Sequence, residues 1–88
     1  MEKKETLTQL PNIGNVVADK LCQVGITSPE ELYAIGTEHT FIRLLVVDET
    51  ACLSELQAIE GAIQGIRWHD LPKERKVELK EFFRMRRI

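Results

Sequence analysis

Residues 7–25 constrain this chain most. Leu7, Leu10, Ile13, Val17 and Leu21 recur three or four positions apart, the spacing of a buried helical stripe. Pro11-Asn12 interrupts that stripe, because proline carries no backbone donor and cannot continue a helix from within. The segment therefore predicts helix, tight turn, helix, with the second helix running from about Gly14 to Val24 and stopping at Gly25. Such a turn exposes consecutive backbone N–H groups at the start of the second helix. That end of a helix carries partial positive charge and suits an anion, most often a phosphate.

The same stretch resembles the helix-hairpin-helix motif of DNA- and RNA-handling proteins, whose hairpin reads Leu-Pro-Gly-Ile-Gly. Asn12 replaces the first hairpin glycine, and asparagine tolerates the left-handed backbone better than most residues. The resemblance implies Asn12, Ile13, Gly14, Asn15 and Val16 as candidate nucleic-acid contacts, with Lys20 as a helper. No basic side chain precedes Lys20 in the second helix, so a corner used only for packing is the competing reading.

Eighty-eight residues make one domain, with a core of modest size. No apolar run approaches the roughly 20 residues of a membrane span. Met1-Glu2-Lys3-Lys4-Glu5 leads into no signal-type apolar region, so the expected location is cytoplasmic. The formal net charge of −2 argues against strong autonomous DNA binding, since nucleic-acid affinity leans on basic residues. Cys22 and Cys52 fall on apolar helical faces and read as buried reduced thiols. His39 and His69 stand alone, and no spacing announces a metal site or a cofactor.

Almost everything reads as helix. A short first helix occupies about residues 4–10. Ser28-Pro29-Glu30-Glu31 starts another, with Ser28 as N-cap and Glu31 closing a capping box, and Gly36 ends it. Thr37 is expected to cap the next, which turns Phe41, Leu44 and Leu45 inward. Asp48 is expected to cap a longer helix over about 49–64, with Cys52, Leu56, Ile59 and Ile63 as its apolar stripe. Ser54, Ala58, Gly61 and Gly65 form a stripe of small residues, which favours close packing within the chain and ends at Gly65. Asp70 and Pro72 announce a last helix over about 71–85. At ~100° per residue, Lys73, Lys76, Lys80, Arg84 and Arg87 share a basic stripe, while Leu79, Phe82 and Phe83 face the core. That stripe is either a solvated face or a second contact for phosphates or an acidic surface.

Taken as a whole, the chain resembles the C-terminal domain of the TfoX/Sxy regulators of natural competence in bacteria. The resemblance rests on Leu10-Pro11-Asn12-Ile13-Gly14, on Val24-Gly25-Ile26 with Glu31-Leu32, on Ala51-Cys52-Leu53, and on Gly61-Ala62-Ile63 continuing through Gly65-Ile66-Arg67-Trp68-His69-Asp70-Leu71-Pro72. The Arg-Trp-His-Asp-Leu-Pro run is its most specific part. It implies a stand-alone all-α domain, a bundle of about five helices of the SAM-like or helix-hairpin-helix kind. The α/β domain that precedes it in two-domain relatives is not in this sequence.

Trp68-His69-Asp70 places a histidine beside a carboxylate, but no nucleophile and base can be recognised, and Asp70 reads as a helix cap. Trp68 is a candidate partner contact. The expected function is non-enzymatic regulatory binding, to DNA through residues 10–17. The alternative is a protein-interaction module, which includes self-association as a homodimer. Neither reading needs a small-molecule substrate, a membrane or a cofactor.

Overall fold

The computed structural model describes residues 6–87, and every regular element among them is helical. A helical turn at residues 6–8 leads into the Pro11–Asn12 corner. Then follow α1 (Asn15–Gln23), α2 (Pro29–Ile35), α3 (Thr37–Val47), α4 (Leu53–Gln64), a 3₁₀ turn (Trp68–Asp70) and α5 (Lys73–Arg87). The all-α class and the number of helices agree with the sequence reading. The expected helix over residues 4–10 falls partly outside the described residues.

Turn chemistry sets most of the boundaries. Gly25 at φ 86° ends α1, with the Ile26 N–H reaching back to Leu21 O at 2.9 Å. Gly65 at φ 78° ends α4 in the same way, with Ile66 N–H bonded to Gly61 O at 2.9 Å. Each left-handed residue satisfies a carbonyl that the helix end would otherwise strand. Ser28 caps α2 as expected, its Oγ accepting from Glu31 N–H at 3.2 Å. The return half of the capping box is displaced by one residue: Glu31 Oε1 accepts from Thr27 N–H at 2.7 Å and from Thr27 Oγ1 at 2.9 Å.

Several expected boundaries need correction. Gly36, not Thr37, is the N-cap of α3, and Thr37 is its first residue. Its hydroxyl is spent on Glu60, not on the helix end. Asp48 does not open α4. Its Oδ1 accepts from Thr50 N–H at 3.0 Å and Thr50 Oγ1 at 2.5 Å, closing a local turn, and the helix waits until Leu53. That short-range capture of backbone donors is what lets Asp compete with helix formation. Cys52 consequently stands at the N-cap of α4 and is exposed, not buried on its apolar face. Both cysteines are free thiols. Asp70 lies within the 3₁₀ turn, and the last helix begins at Lys73.

The core gathers around α4, which packs against α2, α3, α5 and the 3₁₀ turn. Leu56, Ile59 and Ala62 of α4 are fully buried together with Leu21, Leu32, Phe41, Leu44 and Leu79. Phe41 meets Phe83 at 6.0 Å and Phe82 at 6.5 Å between ring centroids, so the face of α5 that the sequence assigned to the core is the face that docks. An ionic clasp ties the same helices. Arg75 of α5 reaches Glu60 of α4 at 3.0 Å and Glu38 of α3 at 2.9 Å. Glu60 also accepts from Thr37 Oγ1 at 2.6 Å and from Gln64. Burial pushes the Glu60 carboxyl up, but bonds from Arg75, Thr37 and Gln64 win and hold it below its ordinary value. The bond to Arg75 likewise holds Glu38 low.

Candidate functional site

The corner is built on one asparagine. Asn12 has φ 70°, alone among the described non-glycine residues in the left-handed region. Its side chain does not point to solvent. Asn12 Nδ2 donates to Ile66 O at 2.9 Å and, more weakly, to Ala58 O at 3.4 Å. Its Oδ1 accepts from Trp68 N–H at 3.2 Å. One residue therefore turns the chain and latches the corner onto α4 and onto the connector, residues 65–72. A glycine here would make the turn and lose the latch.

Gly61 makes room for that latch. A Cβ at this position would lie 2.5 Å from Asn12 Nδ2 and 2.7 Å from Ile66 O. Gly61 and Ala58 thus serve packing within the chain, as expected, against a corner and a connector rather than another helix; Ser54 and Gly65 of the same stripe are exposed.

Where the three pieces meet they leave a cleft of about 500 Å³. Pro11, Asn12 and Val17 line it from the corner and α1, Ser54, Glu55 and Ala58 from α4, and Arg67 and Trp68 from the connector. Trp68 is partly buried, and its ring stacks on that of His69 at 3.9 Å between centroids. Arg67 is exposed.

The other expected contacts are placed as follows. Ile13 is buried, as part of the core. Gly14 is the N-cap of α1 with no side-chain cap, and no acidic residue stands in the first turn. Gly14, Asn15 and Val16 are exposed, so the open N–H groups at this helix start face solvent. Lys20 sits a turn further on and is engaged: its ammonium bonds Asp48 Oδ2 and approaches Glu55 Oε1 at 3.5 Å. The bond to Asp48 raises the Lys20 pKa and holds the Asp48 carboxyl down at about 2. On α5, Lys73, Lys80 and Arg84 are exposed, Arg84 pairing with Glu81 at 2.5 Å. Lys76 donates to His69 O at 3.0 Å, which ties the start of the basic stripe to the connector. The Arg87 side chain lies outside the described residues. No cluster of His, Cys, Asp or Glu suited to a metal occurs among the described residues, and no helix among them is long and apolar enough to cross a membrane.

Glu55 was not singled out from the sequence, and Arg67 entered only as part of the Arg-Trp-His-Asp-Leu-Pro run; only the meeting of α4 with the connector brings them to one cleft.

Residues 3–83 match the sequence profile of the TfoX C-terminal domain, which spans nearly the whole chain. The chain belongs to the TfoX C-terminal domain family. Two crystal structures from Listeria monocytogenes share its fold. A triclinic form of an uncharacterized protein is 47% identical, with a TM-score of 0.89 over 90% of each chain. A tetragonal form of a protein of unknown function is also 47% identical, with a TM-score of 0.88 over 90% of this chain and 96% of that one. No curated protein matches the chain. The TfoX C-terminal domain is a regulatory-type family rather than an enzyme family.

Proposed function

We propose that this TfoX-type domain is a non-enzymatic regulatory module that binds a protein partner at the cleft between the Pro11–Asn12 corner and the connector. The observation that carries this reading is Trp68, a partly buried indole forming one wall of a cleft of about 500 Å³. Tryptophans in such settings are the residues on which protein partners anchor. The surroundings support a protein over a nucleic acid. Val16, at the start of α1, is 68% exposed where a phosphate-binding helix start would profit from a polar or basic residue. Lys20 is already neutralised by carboxylates.

The second reading is DNA contact, and the open N–H groups of Gly14, Asn15 and Val16 favour it. Arg67 and Lys76 on the neighbouring connector and α5 would add charge. An amide-shift titration with a short DNA duplex, at ~50 mM and ~200 mM salt, separates the two. The protein reading expects no saturable shifts on residues 12–20 at either salt. Shifts there that fade at the higher salt would replace it with the DNA reading.

A further inference from the structure

We propose that the cleft beside Trp68 receives a basic side chain, a guanidinium or ammonium on an apolar segment of the partner, with Glu55 as its counter-ion. This rests on the protein-partner reading above.

Charge complementarity carries it. The Glu55 side chain is only 11% exposed. Its Oε1 meets Lys20 at 3.5 Å, while Oε2 is buried with no hydrogen-bond partner. A buried carboxylate oxygen without a donor is costly, so a donor that reached Glu55 would stabilise it. Lys20 does not fill that role, because Asp48 shares the same ammonium and is its closer partner. Two carboxylates around one ammonium leave one negative charge over. Arg67 also lines the cleft, yet it forms no ion pair with Glu55.

The walls fit the stem of a long basic side chain as well as its head. Pro11, Val17 and Ala58 are apolar, and Trp68 adds an aromatic surface. Lys and Arg lay their methylenes along such surfaces and hold their charge at an aromatic face or a carboxylate. The last torsion of Glu55 is soft, so its carboxylate can turn to meet a donor that enters the cleft it lines.

The test is selection of displayed random heptapeptides on the immobilised full chain, run in parallel on wild type, E55Q and S54W. Ser54 is exposed on the cleft wall, so tryptophan there fills the cleft without entering the core. Amide spectra establish that each variant is folded. Wild type is expected to enrich peptides with an Arg or Lys flanked by apolar residues. The best of them should bind E55Q roughly tenfold more weakly or worse, and S54W not at all. Its Arg→citrulline counterpart should lose affinity for wild type to the same degree. Enriched peptides without a basic residue, or peptides that bind E55Q as tightly, would overturn this inference and leave the protein-partner reading standing. No enrichment on wild type would overturn both.

Discussion

Replacing Asn12 by glycine puts at the corner the residue of the helix-hairpin-helix motif that this stretch resembles, and it should nonetheless destabilise this protein. The change keeps the turn, because glycine adopts φ near +70° freely. It removes the bonds to Ile66 O at 2.9 Å and from Trp68 N–H at 3.2 Å, together with the weaker one to Ala58 O at 3.4 Å. The two good bonds contribute about 1 kcal/mol each. Relief of the left-handed strain and the added freedom of the unfolded chain are each ~0.5–1 kcal/mol and of opposite sign, so they nearly cancel. N12G should therefore lose about 2 kcal/mol, or roughly 8–16 °C in Tm for a chain of this size. N12A loses the same bonds and keeps a Cβ at positive φ, which adds about 1 kcal/mol. Urea unfolding followed by circular dichroism measures both, and hydrogen exchange should show the Trp68 amide losing protection in N12G. If N12G unfolds within ~0.5 kcal/mol of wild type, the latch contributes nothing and the reasoning fails.

Other outcomes follow from the same geometry. G61A should destabilise by about 2 kcal/mol, although alanine in a helix interior ordinarily gains about 1, because its Cβ would sit 2.5 Å from Asn12 Nδ2 and 2.7 Å from Ile66 O. Its urea midpoint checks the sign, and N12G/G61A should cost less than the two single changes together, since one clash partner is gone. R75M leaves Glu60 buried without its cation and should cost about 2–3 kcal/mol at neutral pH. Glu38 and Glu60 are held below their ordinary values, so wild type carries their stabilisation above the ordinary glutamate range and loses it as pH falls through and below that range. The gap between wild type and R75M should accordingly narrow between pH 6 and pH 3, roughly the window of carboxylate protonation, in melts at stepped pH. S28A should lose about 1 kcal/mol with the N-cap of α2, read from the same urea assay.

Much of the fold was legible because it is local. Gly25, Gly65 and Ser28-Pro29 end or start helices through bonds that span only a few residues. Leu79, Phe82 and Phe83 declared the docked face of α5 by their period. Asp48 misled because a single aspartate can cap a helix or close a turn, and Thr50 supplied the nearer donors. The phase of Cys52 then went wrong with the helix start. Asn12 was half legible: its left-handed backbone follows from its own chemistry, whereas its side-chain partners lie 46, 54 and 56 residues away. The cleft was legible only in part: Asn12 and Trp68 stood out singly, and nothing in the sequence joined them. Glu55 carries no local signal, Arg67 only that of the run it opens, and the two come together only where α4 meets the connector.

The most direct test of the account is in-cell photo-crosslinking with a benzophenone side chain at Arg67, on the cleft, and separately at Lys80, on the exposed basic face of α5. A discrete protein adduct from position 67, with none from position 80, is the expected result. Adducts from position 80 alone, or from neither position, would contradict a protein-binding cleft at the connector.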